Sequence, residues 1–228
     1  MKIVKQSLEE QAAGYLRELI LSGKYGMGEK LVESALAKDL ELSRSTVRMA
    51  LNTLAHEGLV VQKPYVGWQV INITENDLWE LYHLRVALET RSAWLAAEHI
   101  TEEGKTRLHD LMDYYLQVGR SEGVTCLQIS KLELELHTLI IELSGNMRLH
   151  QIYRNVANQM LIYFNIDHAS YDPEESALSH LPLVEAICAG DSGKALKLAE
   201  ENITVYSVIG HKFREQHLKR YSEQQGDS

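Results

Sequence analysis

The stretch ESALAKDLELSRSTVRMALNTLAHEGLV, Glu33 to Val60, decides the fold. Its first part, ESALAKDL, predicts a short helix from Glu33, and Leu42-Ser43 leads into a longer one over RSTVRMALNTLAHEG. Ser43 suits the N-cap of that helix and Gly58 the position just past its C-terminus. Upstream, residues 7–21 place Leu8, Ala12, Tyr15, Leu16, Leu19 and Ile20 on one helical face, and Ser22-Gly23 ends the pattern. Downstream the period changes. LVVQK, the turn-prone Pro64-Tyr65-Val66-Gly67 and WQVINI predict a β-hairpin. Three helices followed by a hairpin make a winged helix-turn-helix.

A helix that enters the DNA major groove needs short polar and cationic residues in its first turn, because that end meets base edges and phosphates first. Ser43, Arg44, Ser45, Thr46 and Arg48 meet that need. Arg44 and Arg48 share a face, while Val47, Leu51 and Leu54 point to the preceding helix. Arginine can fork onto guanine or clamp phosphate, and hydroxyls donate to phosphate oxygens. The alternative is a solvated cationic turn. Lys63 and Tyr65 flank the wing turn, where they either reach the nucleic acid or stand in solvent.

The net charge of −9 is unevenly placed. Residues 1–72 carry nine Lys/Arg against eight Asp/Glu, a net of +1, and the remainder carries 14 against 24, a net of −10. A DNA-binding surface therefore belongs to the first third, and the acidic remainder repels phosphate. No apolar run approaches the ~20 residues that span a bilayer, and the N-terminus turns acidic before a secretory segment forms, so the cytoplasm is the expected compartment. Cys126 and Cys188 show no paired or metal-type spacing and read as reduced thiols.

From Thr74 onward strand signals vanish, and six helical segments are expected: 75–99, 101–119, 122–144, 147–168, 174–189 and 192–220. The chain thus reads as mainly α. A winged helix-turn-helix over 1–73 precedes an all-α antiparallel bundle over 74–222, with a disordered tail at 223–228. Thr74, Thr101 and Asn146 sit where helices should start. In the first bundle helix Leu78, Leu81, Leu88 and Leu95 trace an apolar stripe, and Arg85 falls on it. A buried guanidinium needs a partner, either a carboxylate effector or Glu89 one turn on. Segment 147–168 packs through Leu149, Ile152, Val156, Met160 and Tyr163 while presenting Asn155, Asn158 and Gln159. Asn155 and Tyr163 are candidates to line an effector pocket, although such amides also occupy wet flanks.

The pattern E-S-x-L-A-x-x-L-x-L-S-R-S-T-V-R-x-A-L-x-x-L-x-x-E-G-L-V resembles the signature of the GntR regulators. The resemblance implies DNA contacts from Ser34, Arg44, Ser45, Thr46 and Arg48, with Gly67 at the wing tip. The bundle is similar to the FCD ligand-binding domain of FadR-type members of that family. The matching pieces are LRVALE at 84–89, AWLAA at 93–97, HTLIIELSGN at 137–146 and HLPLVEAICAGD at 180–191. Many FCD domains hold a divalent metal through an Asp, a His four residues later and two further His. Here Glu133, His137 and His180 take the first three places, and Asn202, 22 residues beyond His180, takes the fourth. Glu for Asp adds a methylene, and Asn for His substitutes a neutral oxygen. Either zinc or nickel is held there, or the four residues form a polar cavity that binds the effector directly.

The expectation is a DNA-binding transcription regulator, in the repressor sense, that acts as a homodimer on a palindromic operator. A small organic acid bound in the helical domain would control it, with no membrane partner. A metal-dependent hydrolase and an effector-independent DNA binder are the alternatives; the chain shows neither a companion nucleophile nor a phosphate loop, and is expected not to be an enzyme.

Overall fold

Ser7 opens the first helix. Its hydroxyl accepts from Glu10 N, while the Glu10 side chain accepts from Ser7 N, the reciprocal pair that satisfies exposed donors at a helix start. A computed structural model describes residues 7–167, 172–206, 209 and 212–213. The chain divides into two compact units, Met1–Thr74 and Glu75–Ser228.

In the first unit α1 (Leu8–Leu21), α2 (Glu33–Asp39) and α3 (Arg44–His56) pack with a three-stranded sheet. The strands are β1 (Lys30–Leu31), β2 (Val60–Lys63) and β3 (Gly67–Val70), all antiparallel, in the order β1-β3-β2. Leu16, Val47, Ala50, Leu51, Leu54 and Leu59 are fully buried between these layers. Ser43 caps α3 by accepting from Thr46 N, and Gly58 follows the helix with φ 72°, the left-handed value that closes a helix end. β1 was not legible in the sequence, since two residues are too few to show a strand period. Leu8 and Tyr15, expected on the buried face of α1, are 58% and 52% exposed. The buried arc centres on Ala12, Leu16 and Ile20 and includes Ala13, which leaves those two on its flank.

At the hairpin tip Lys63 pairs with Gly67 across the three residues Pro64, Tyr65 and Val66. Tyr65 adopts φ 62° and is fully exposed. It stands at the extremity where Gly67 was expected, while Gly67 begins β3.

The second unit holds α4 (Glu75–His99), α5 (Glu102–Gly119), α6 (Cys126–Leu143), α7 (Met147–Asn155), α8 (Ala157–Asp167), α9 (Pro173–Cys188) and α10 (Ser192–Glu201), followed by a π-helical turn, Asn202–Tyr206. Thr101, Thr125, Asn146, Asp172 and Asp191 cap their helices through side-chain oxygens. α4 is central, packing against α6, α8, α9 and α10. It buries Leu81, Arg85, Leu88, Ser92 and Ala96 along one stripe.

The segment expected as one helix over 147–168 is two. Val156, at φ −109° and ψ 5°, leaves helical geometry and turns its N–H to Tyr153 O. The last expected helix, 192–220, gives way to the π turn after Glu201, and most of it beyond 206 lies outside the described residues, as does the tail at 223–228. Among the described residues, no helix is long and apolar enough to cross a membrane.

Candidate functional site

In the first unit, the exposed start of α3 gathers hydroxyls and cations. Ser43 Oγ lies 2.7 Å from Ser45 Oγ and 2.8 Å from Thr46 Oγ1, so the hydroxyls satisfy one another around the cap. Arg44 and Ser34 are exposed, as is Lys63 on β2. Arg48 is occupied: its Nε donates to Glu33 Oε1 at 2.9 Å and its Nη2 to Oε2 at 2.8 Å. The Trp68 indole also donates to Glu33 Oε1, at 3.0 Å. These donors, Arg48 foremost, hold the Glu33 carboxyl at about 2 against its ordinary 4.5, outweighing the upward effect of partial burial. Sequence reasoning missed Glu33 and Trp68 as partners of the recognition helix.

In the second unit Glu133, His137 and His180 are buried, and each offers one ligand atom within 4.8 Å of the others. α6 carries Glu133 and His137 one turn apart, and α9 carries His180. Glu133 Oε1 lies 3.7 Å from His137 Nε2 and 3.9 Å from His180 Nε2. The opposite ring edges are anchored. His180 Nδ1 is 2.9 Å from Ser176 O, a pure acceptor, so that nitrogen carries the proton and Nε2 the lone pair. His137 Nδ1 is 3.2 Å from Glu89 Oε2, which orients its ring in the same sense. Both imidazoles therefore turn Nε2 toward Glu133, with the outer edge held by an oxygen as metal-ligating histidines require.

Arg85 enters from α4, 1% exposed. Its Nε and Nη2 reach Glu89 at 3.1 and 3.3 Å, and Nη2 also reaches Glu133 Oε1 at 3.3 Å. Burial pulls this guanidinium down, but Glu89 and Glu133 outweigh it and hold the group well above its ordinary range. Its Nη1 is buried with no hydrogen-bond partner. The rings of Phe164 and Tyr163 lie 4.4 and 5.2 Å from its Cζ. Tyr153, fully buried, donates to Glu89 Oε1 at 2.9 Å. Burial first, and then the Glu89 carboxylate, keep its phenol well above the usual range.

Of the residues expected at this site, Arg85, Tyr163, Glu133, His137 and His180 come together. Asn202 is buried nearby and donates through Nδ2 to Ser179 Oγ, itself 3.2 Å from His180 Nδ1, so the amide oxygen is the atom left to offer a ligand. Asn155 does not join them: it is exposed at the end of α7. Glu89 was expected only as a partner of Arg85, and its hold on His137 was not anticipated. Tyr153 gave no signal, since its contact with Glu89 spans 64 residues of sequence.

Comparison with known proteins gives concordant matches. The model of the bacterial regulatory proteins of the gntR family matches residues 8–70, and that of the FCD domain matches 80–204. A Bacillus subtilis HTH-type transcriptional regulator, YdhC, is 28% identical over 149 residues, 65% of each chain. The Nta operon transcriptional regulator of Aminobacter aminovorans is 29% identical over 62% of this chain and 66% of its own. The chain thus spans just under two thirds of the length of these relatives. A probable D-xylose utilization operon transcriptional repressor of Paenarthrobacter nicotinovorans is 24% identical over 89% of this chain and 87% of its own. Among solved structures, E. coli McbR/YncC superposes with a TM-score of 0.68 at 20% identity, covering 95% of this chain and 100% of that one, a likeness of fold.

Proposed function

The chain belongs to the GntR family of bacterial regulatory proteins and carries an FCD domain, and from that premise we propose that it is a sequence-specific DNA-binding transcription regulator whose helical unit binds a small organic acid. The family is one of regulators rather than hydrolases, and a named repressor among the relatives favours repression. The protein acts as a homodimer in the cytoplasm, on a palindromic operator. Arg44, Ser45, Thr46 and Arg48, with Ser34, Ser43, Lys63 and Gly67 at the foot of the wing turn, face the DNA.

The observation that carries the effector reading is Arg85: a buried guanidinium with one nitrogen unpartnered, beside a Glu/His/His cluster. Charge couples the two features. Among the described residues Arg85 is the arginine paired with the carboxylates of Glu89 and Glu133, and two carboxylates against one guanidinium disfavour an organic anion. The donor set fits a divalent metal, zinc or nickel, through Glu133, His137 and His180, with the Asn202 amide oxygen as an available fourth donor. Such an ion would supply two positive charges beside Arg85 and favour an anionic ligand. Arg85 Nη1 then offers the acid a charge-assisted hydrogen bond, and Tyr163 and Phe164 exclude water around it.

The test is a thermal-shift screen of mono- and dicarboxylates on protein as purified, on chelator-treated protein and on Arg85→Lys, alongside elemental analysis of wild type and His180→Gln. A ligand of the native state raises the melting temperature. The shift is expected to need both the metal and Arg85. Metal-free protein at every stage, or a shift that survives chelation unchanged, removes the metal from the proposal; a shift indifferent to Arg85→Lys removes the assigned pocket.

A further inference from the structure

We propose that Glu33 is a specificity-determining positioning residue, which holds the Arg48 guanidinium so that it reads a guanine in the major groove. The inference rests on the reading of α3 as the DNA-facing helix, and it deepens that reading.

The Arg48–Glu33 contact is a two-pronged fork at 2.9 and 2.8 Å. It uses the Nε/Nη2 edge of the guanidinium and leaves the Nη1/Nη2 edge, with one N–H from each nitrogen, on a side chain that is 61% exposed. The anchor is firm. Glu33 is the first residue of α2, only 17% exposed, and its Oε1 also accepts from the indole of Trp68, which is buried on β3 at 3% exposure. Helix α2, recognition helix α3 and wing strand β3 thus meet at one carboxylate. The low ionisation range of Glu33 keeps it charged under all ordinary conditions.

Two physical consequences follow. A free arginine must surrender rotamer freedom to make an oriented contact, and Arg48 has surrendered much of it before DNA arrives. The ion pair is also neutral overall, so it has lost most of its attraction for a charged phosphate while keeping a planar pair of donors. Such a group suits a neutral acceptor pair, and guanine O6 and N7 are that pair in the major groove. Arg44 is exposed and feels Glu33 only through space, without a salt bridge among the described residues, so its N–H groups are available to phosphate.

The experiment uses the full chain. A preferred duplex is selected from random sequences with wild type, and affinity is then measured for every base-pair change in one half-site, and for 7-deazaguanine at each guanine, with wild type, Arg48→Ala, Glu33→Gln and Trp68→Phe. Wild type should discriminate by about tenfold or more at one guanine per half-site. Arg48→Ala and Glu33→Gln should each bring that discrimination below about threefold and leave the other positions as they were, with Trp68→Phe intermediate. Glu33→Gln should also steepen the salt dependence of binding by up to about one ion, because it frees the charge of Arg48. If Glu33→Gln does not fold, Trp68→Phe, which keeps an aromatic ring in the core, carries the same test. Discrimination unchanged in folded Glu33→Gln, or in Trp68→Phe where only that variant folds, overturns the proposal. So does a uniform loss across positions with a shallower salt slope in Arg48→Ala, which makes Arg48 a phosphate contact and leaves the DNA face intact. Unchanged affinity and slope in Arg48→Ala overturns this inference, and the same result in Arg44→Ala as well removes the DNA face itself.

Discussion

The carboxyl of Glu33 is ionised down to about pH 2 in the folded chain, whereas an ordinary glutamate titrates near 4.5. A lowered folded-state value adds stability that is complete above about 4.5 and is lost as pH falls toward 2. The Arg48 side of the pair is exposed and screened by solvent, so the gain is small. Urea unfolding of wild type and Glu33→Gln should therefore differ by a constant amount from pH 7 to about 5, and by a shrinking amount below; a difference that grows on acidification contradicts the assignment. How much of the site was legible varies residue by residue. Arg85 was placed by spacing alone, because Leu81, Arg85 and Leu88 fall on one helical stripe. The metal-type cluster was legible through a resemblance, with Glu133 and His137 one turn apart as its local signal. Asn155 reads as a pocket-lining amide on a single helix over 147–168, with the wet flank as the alternative; the helix breaks at Val156 and Asn155 is exposed at the end of α7. Glu33 meets Arg48 and Trp68 across 15 and 35 residues of sequence, a distance no local pattern reports.

Among the elements, α5 and α9 meet at Gly119. A β-carbon there would stand 2.8 Å from Pro173 O and 3.3 Å from Glu174 Cα, backbone atoms that cannot swing aside. Gly119→Ala should cost about 1–3 kcal/mol of overpacking, only partly offset by the better helix propensity of alanine. Gly14→Ala on α1, where the nearest atom is the Arg17 guanidinium at 3.8 Å, should instead be neutral or stabilising by up to about 1 kcal/mol. Urea midpoints with unchanged slopes would show the two moving oppositely; a harmless Gly119→Ala would mean that this contact relaxes freely. Several helix starts were legible, since Ser43, Thr101 and Asn146 cap where hydroxyl or amide residues precede periodic stretches, whereas the helix expected from 122 starts at Cys126 under Thr125. The division of 147–168 into two helices had no proline or glycine to announce it.

For the whole molecule, the decisive quantity is the separation of charge: +1 over residues 1–72 and −10 beyond. A field of that kind acts on approach more than on the bound state and fades beyond a Debye length of about 10 Å at 0.1 M salt. Replacing Glu102 and Glu103, exposed at the start of α5, by lysine should raise the rate of association with DNA at low salt by a few-fold and leave dissociation unchanged, with the two proteins converging at about 0.5 M. An equal rate at low salt in stopped-flow would show that the acidic unit exerts no repulsion. Two units with separate charge could be read from composition, because composition needs no contacts. The wing turn leaves unused some of the stability open to it. Tyr65 holds a left-handed backbone that a side chain of its kind adopts at a cost of about 1–2 kcal/mol, and it is fully exposed. Asparagine or glycine would sit there more easily, so the hairpin carries its outward aromatic ring at the expense of backbone ease.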